Sequence, residues 1–285
     1  MKIPSPTVKD VITTGRFEIP YRVYENDGPH LICLNGIQQS MAMWQGFVAR
    51  FAPDYRIVLF NFPAQGNGRA LSGPTRASLK EEVEILYDVM KKTGVNQDVS
   101  FCTASWGGVI ALAFAAQHPY AVKRLLLGSI GTRPNRKMIE IIQEGLSIGT
   151  DNREQFAEHL IQSFGENLPE SIKKKIGVQF RTLSEANLQA FCEHGLKVIS
   201  AQKLSDHINF KNIAVETIVI RGEDDVIVDL DDVMFLSSQI PNCKLKVIKN
   251  VGHFLHLESD VALDVYQELL SNGVKHAGNA VMAQC

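Results

Sequence analysis

The chain reads as an α/β protein, a mostly parallel central sheet flanked by helices. Three observations predict it. Short apolar runs recur at Leu31–Leu34, Arg56–Phe60, Val99–Cys102 and Arg124–Leu127, rich in branched or large side chains and bounded by Gly, Asn or Pro, as strands buried on both faces require. Helical patterns separate them, and that alternation calls for parallel strands joined by right-handed crossovers. Two further runs, Val215–Ile220 and Lys244–Ile248, resume the strand pattern after a long polar stretch.

Taken in order, Phe17–Glu25 alternates in polarity and heads for Leu31 across Asn26-Asp27-Gly28-Pro29. That turn signal predicts an antiparallel hairpin at one sheet edge. A helix is expected from about Ala77 to Lys92, with Leu79, Val83, Leu86 and Met90 on one face, and an apolar helix from about Gly107 to Gln117. From about Thr132 to Asn212 the strands give way to polar helical segments such as Arg153–Phe164 and Glu185–Ser200. The expected organisation is a discontinuous core, 1–131 and 213–285, with a helical lid over 132–212. Within it, Met138, Ile141, Ile142, Leu146, Leu160 and Phe164 present apolar side chains that line a tunnel, pack the lid on the core, or do both. A terminal helix should run from about Ser259 to Leu270. After Asn272 the periodicity stops, and a frayed tail is expected.

A length of 285 residues allows a substantial core without disulfides or metal. Scattered basic residues and a net charge of −2 speak against nucleic-acid binding. The apolar run Val109–Ala116 ends at Gln117-His118-Pro119, too short to cross a bilayer. The opening MKIPSPTVKD lacks the apolar stretch of an export signal, so a cytoplasmic protein is expected. Cys33, Cys102, Cys192, Cys243 and Cys285 form no CxxC pair and no zinc spacing with histidine. They read as reduced thiols, and nothing calls for a metal or redox cofactor. Cys102 lies three residues before Ser105, but strand alternation turns it away, as a small buried hydrophobe.

The chemistry centres on that serine. Val99–Cys102 runs into Thr103-Ala104-Ser105-Trp106-Gly107-Gly108, and a helix follows at once. A helix N-terminus supplies unpaired N–H groups and partial positive charge to an oxyanion, and small residues let strand and helix approach. The segment resembles the G-x-S-x-G nucleophile elbow of α/β-hydrolases, with Thr103 in place of the first glycine. Taken alone, Ser105 could instead simply cap the helix. Arg221-Gly222-Glu223-Asp224-Asp225 resembles the superfamily's G-x-x-D segment, and its offset selects Asp225, leaving Asp224 to solvent or the turn. Asn250-Val251-Gly252-His253-Phe254 resembles the G-H segment.

The resemblance implies a Ser105, Asp225, His253 triad in the superfamily's chain order, at the C-terminal edge of the sheet. It also implies an oxyanion hole from the backbone N–H groups of Ile37 and Trp106. Asn35 and Gly36 become candidate substrate-binding residues. Asn35 either orders the loop through its amide or is an ordinary turn residue. His256 reads as a group supporting His253 or, preferably, as a surface residue at a helix start, and His118 as a helix-end residue.

Asn35-Gly36, Glu82–Leu86, Ala104–Gly108, Gly252–Leu255 and Leu257–Ser259 narrow the branch. They resemble the RhlA-type synthases that make the lipid moiety of rhamnolipids, and the related 3-hydroxyacyl-carrier-protein:CoA transacylases. Phe60-Asn61-Phe62-Pro63 with Gln65-Gly66 resembles the loop usually written D-x-P-G-x-G, with Asn61 replacing the acid and Ala64 a glycine. The resemblance implies an acyltransferase on medium-chain 3-hydroxyacyl thioesters, carried by coenzyme A or acyl carrier protein. The same residues with water as acceptor would make an esterase or thioesterase.

Overall fold

A computed structural model describes residues 3–200 and 203–278. The chain opens with two antiparallel strands, β1 (Val8–Thr14) and β2 (Phe17–Tyr24), which turn at Gly15-Arg16. The edge hairpin is therefore this pair. The expected pairing of Phe17–Glu25 with the Leu31 run is corrected: β2 lies antiparallel to β4 (Arg56–Phe60), and β4 separates it from β3 (His30–Leu34). The Asn26–Pro29 turn carries the chain across β4 instead of folding it back. Asn26 Nδ2 bonds the carbonyls of Ala52 and Pro53, and a Cβ on Gly28 would stand 2.0 Å from the Asp54 carbonyl oxygen. The turn is thus docked on the segment that enters β4.

A two-residue β5 (Arg69–Ala70) beside β2 falls on no expected run, whereas β6 (Val99–Ala104), β7 (Val122–Gly128), β8 (Glu216–Gly222) and β9 (Cys243–Ile248) follow the expected ones. Among the described residues the sheet order is β1-β2-β4-β3-β6-β7-β8-β9, parallel from β4 onward. Alternation divides each parallel strand between two cores. Ile32, Leu34, Val58, Phe60, Phe101, Leu125 and Leu127 face one layer, and Leu31, Cys33, Ile57, Leu59, Cys102 and Leu126 the other. The first layer holds α2 (Leu79–Lys92), α3 (Trp106–Gln117) and α8 (Leu230–Gln239). The second holds α1 (Gln45–Phe51) and α9 (Asp260–Gly278).

Local chemistry explains the helix limits. Ser78 and Glu81 form a reciprocal capping box at the start of α2, and Lys91 and Lys92 sit in its last turn against the helix dipole. α3 is apolar all round because it packs between the sheet and α2. Four helices, α4 (Arg136–Ile148), α5 (Arg153–Phe164), α6 (Glu170–Thr182) and α7 (Glu185–Ser200), lie between β7 and β8, which pair directly all the same. α5 and α7 coincide with the expected segments. Phe156, Leu160, Leu168, Ile176, Phe180 and Leu188 give these helices a core of their own, against Met43, Phe254 and Leu257.

The expectation of an aperiodic tail after Asn272 is corrected as far as Gly278, because α9 continues to that residue. Elongating a helix already nucleated by a packed segment needs no apolar face. The rest of the expected tail, Cys285 included, lies outside the described residues. Among the described residues no helix is long and apolar enough to cross a membrane.

Candidate active site

The parallel strands deliver their C-terminal ends to one edge, and Ser105, Asp225 and His253 follow β6, β8 and β9 there. Ser105 occupies the turn between β6 and α3 with φ 47° and ψ −114°. A non-glycine residue costs about 1–3 kcal/mol in such a region, so the surroundings must hold it. They do so through the Ser105 N–H on the Gly128 carbonyl at 2.8 Å and the Gly108 N–H on the Ser105 carbonyl at 2.8 Å. Close approach explains Gly107, since a Cβ there would lie 2.5 Å from the Leu34 carbonyl oxygen. Thr103 does not disturb the turn, because its side chain is buried within β6.

Asp225 and His253 meet after β8 and β9. His253 Nδ1 and Asp225 Oδ2 are 2.9 Å apart, and the Ile227 N–H donates to Asp225 Oδ1 at 3.1 Å. Asp225 is 3% exposed while Asp224 is exposed, as the G-x-x-D offset requires. Three supports were not read from the sequence. The Arg221 guanidinium donates to the carbonyls of Gly222, Glu223, Asp225 and Val228, stapling the acid's loop. Glu258 accepts the N–H groups of Gly252 (2.5 Å) and Phe254 (2.8 Å), on either side of His253. Ser129 Oγ donates to the His253 carbonyl at 2.6 Å. Only its position after β7 could have flagged Ser129.

Ser105 and His253 line the same cavity, about 260 Å³ in volume. Among the described residues no hydrogen bond joins Ser105 Oγ to His253. Contacts of this kind often tighten only with substrate bound. Ile37 and Trp106 also line the cavity, and among the described residues neither donates its N–H to another backbone carbonyl. Met138, Ile141, Ile142, Leu146, Leu160 and Phe164 all reach the cavity, while Ile141 and Leu160 are buried in core clusters as well. The set therefore both lines the cavity and packs into the core.

Asn35 does not line the cavity. Its buried amide donates to the Phe60 carbonyl at 2.9 Å and Gln65 Oε1 at 3.1 Å, and its Oδ1 accepts from Trp44 Nε1 at 2.8 Å. The loop-ordering alternative is the observed one, whereas Gly36 does line the cavity. Gln65 Nε2 and Gln39 Oε1 hold Gly36 by its carbonyl and its N–H, each at 2.9 Å. Asn61 accepts the Met41 N–H at 2.8 Å. Gln38, at φ 54°, joins this loop to the helical insertion: its carbonyl accepts from Gln179 Nε2 at 2.5 Å and its Nε2 donates to the Asn187 carbonyl at 3.3 Å.

The surface reading of His256 is corrected. The residue is 6% exposed and stacks on Trp44 with ring centroids 4.1 Å apart. Burial depresses its pKa to about 4, so it stays neutral. Burial also raises the thiols of Cys33 and Cys102, which are therefore unreactive. Among the described residues no cluster of His, Cys, Asp and Glu could hold a metal. Sequence reading gave no chemical role to Glu82, which is buried and accepts the Trp106 indole N–H at 3.0 Å. Desolvation raises its pKa to about 7.

A strained serine at a strand-to-helix turn, with a buried Asp–His pair at the same sheet edge, defines an α/β-hydrolase architecture. The family described as alpha/beta hydrolase fold matches residues 29–260, and the chain belongs to it. It is 24% identical over 260 residues to an (R)-3-hydroxydecanoyl-ACP:CoA transacylase of Pseudomonas aeruginosa, covering 90% of this chain and 86% of the relative. It is 25% identical over 243 residues to a pimeloyl-acyl-carrier-protein methyl ester esterase of Nitrosospira multiformis, covering 80% and 88%. The crystal structure of an enol-lactonase from Burkholderia xenovorans matches with a TM-score of 0.74 at 15% identity, over 93% of this chain and 100% of that one, a likeness of fold. The chain is an enzyme of the hydrolase or acyltransferase type.

Proposed function

We propose that the protein is an acyltransferase on medium-chain 3-hydroxyacyl thioesters, working through Ser105, His253 and Asp225 and an acyl-enzyme. The observation that carries the reading is the shared cavity: Ser105 and the Asp225-bound His253 open onto one largely apolar space roofed by α4–α7. The transacylase relative supports the 3-hydroxyacyl class.

In this reading Ser105 Oγ attacks the thioester carbonyl and His253, through the ring nitrogen not engaged by Asp225, takes its proton. The N–H groups of Ile37 and Trp106 receive the oxyanion; one such donor is typically worth ~3 kcal/mol in the transition state. Collapse breaks the C–S bond, the departing thiolate takes the proton from His253, and Ser105 carries the acyl ester. An acceptor then attacks that ester, gives its proton to His253, and Ser105 leaves reprotonated. The hydroxyl of a second 3-hydroxyacyl thioester yields the ester-linked dimer on its carrier, and hydrolysis of that thioester by water releases 3-(3-hydroxyalkanoyloxy)alkanoate and the carrier thiol; a carrier thiol as acceptor yields a transferred hydroxyacyl group. Residues 132–212 form the lid, and its apolar lining favours these acceptors over water by excluding it. The carrier is coenzyme A or acyl carrier protein, and the setting cytoplasmic.

Purified protein incubated with 3-hydroxydecanoyl-CoA or its acyl-carrier-protein thioester, analysed by mass spectrometry, tests this. Ester dimer or carrier exchange is the expected product. Free 3-hydroxydecanoate alone would overturn acyl transfer and leave the hydrolase reading, which the methyl ester esterase relative favours.

A further inference from the structure

The cavity is apolar along most of its wall, yet a buried imidazole outside the Ser105 cluster opens onto it without a hydrogen-bond partner among the described residues. His194, on α7, is 4% exposed, lines the cavity, and neither Nδ1 nor Nε2 has a hydrogen bond among the described residues. Leaving such nitrogens unpaired in a dry site is costly. Of the other orphaned buried polar atoms, only Gln38 Oε1 belongs to a residue lining the cavity; it is an acceptor alone, on a side chain already tied to Asn187.

The ring's position is set by Trp106. His194 packs edge-on against the indole, with centroids 4.6 Å apart at 86°, and the indole is fixed on its polar edge by Glu82. Trp106 directly follows Ser105, and Ser105, Trp106 and His194 line the same cavity. Burial, with the positive charges of Arg76 and Lys197, holds its pKa well below the usual histidine range. A neutral imidazole carries one donor and one acceptor. An uncharged group that both donates and accepts complements it, whereas a carboxylate does not.

We infer that His194 reads a hydroxyl on the first few carbons of the acyl chain, making it the specificity-determining residue for hydroxyacyl over plain acyl substrates. The inference rests on the acyl-enzyme reading above and adds the residue that would distinguish the two chains. A site built to bond a hydroxyl discriminates against the analogue lacking it, because its own polar atoms are then left unpaired.

The test separates binding from turnover. The chain has two tryptophans, and Trp106 lines the cavity, so fluorescence titration of the Ser105→Ala protein reports occupancy. The ligands are methyl 3-hydroxydecanoate, methyl 10-hydroxydecanoate and methyl decanoate. Expected is a preference of about tenfold for the 3-hydroxy ester over each of the others. Adding His194→Phe should reduce that preference to within about twofold and leave methyl decanoate bound as tightly or more so. His194→Leu carries the same expectation should the Phe variant not fold. An unchanged preference in the double variant, no preference with His194 present, or equal affinity for both hydroxy esters would overturn the inference. Turnover by the native enzyme is scored separately: inactivity on 3-hydroxydecanoyl-CoA and on the acyl-carrier-protein thioester defeats the proposed function, whereas the binding pattern decides the role of His194.

Discussion

The indole of Trp106 and the carboxyl of Glu82 form a 3.0 Å hydrogen bond behind the turn that holds Ser105. Burial is the main reason the Glu82 pKa rises from 4.5 to about 7, outweighing the Trp106 bond and the Arg76 charge. An acid whose pKa rises on folding holds more protons folded than unfolded, so stability falls as pH climbs from about 4.5 to about 7. The loss is on the order of 3 kcal/mol. Glu82→Gln, which keeps an acceptor for the indole without the charge, should melt higher than the native protein at pH 8 and no higher at pH 5. Melting temperatures at both values check this, and a pH-independent difference would contradict it.

Arg221 bonds four carbonyls around the loop that presents Asp225. Lysine cannot reproduce the planar fork. Arg221→Lys should lower unfolding free energy by about 2 kcal/mol and depress kcat more than it raises KM. Denaturant unfolding and steady-state kinetics together read the outcome, and native kcat in a destabilised variant would confine Arg221 to a structural role.

Glu258 grips the backbone on both sides of His253. Glu258→Ala should cost about tenfold in kcat by freeing that turn, with Glu258→Gln retaining only part of the grip, since the amide offers a single acceptor oxygen. Equal kcat in all three proteins would show that Ser129 and Asp225 suffice to place the histidine.

At Ser105 the backbone itself is testable. Ser105→Ala should abolish turnover with little change in melting temperature, because Ala meets the same strain at φ 47°. Ser105→Gly, free of that strain, should be inactive and more stable than Ser105→Ala by about 1 kcal/mol. Asp225→Asn should keep residual activity, roughly 10⁴-fold down, from the proposed oxyanion donors and binding. Complete loss there would mean that the loop, and not only the histidine's tautomer, has failed.

The parallel strands were legible because burial on both faces leaves an unbroken apolar run. Asp225 was separable from Asp224 because one residue of spacing decides which carboxylate turns inward. The edge was harder to read. Asn26–Pro29 is a sound turn signal, but whether the next strand pairs or passes depends on Ala52, Pro53 and Asp54, which hold the turn from another part of the chain. His256 was misjudged for the same reason, since its partner Trp44 lies 212 residues earlier. His194 carries no local pattern at all; only the fold brings it to Trp106.

The bonds from Gln38 to Gln179 and Asn187 make the loop carrying Ile37 and the helices over the cavity parts of one latch. Both bonds end on the residue next to Ile37, which is held at φ 54°. In the proposed mechanism the oxyanion donor at Ile37 is therefore positioned in part by residues 141 and 149 places further along the chain than Gln38, so the sequence of the insertion bears on the chemistry as well as on the choice of substrate.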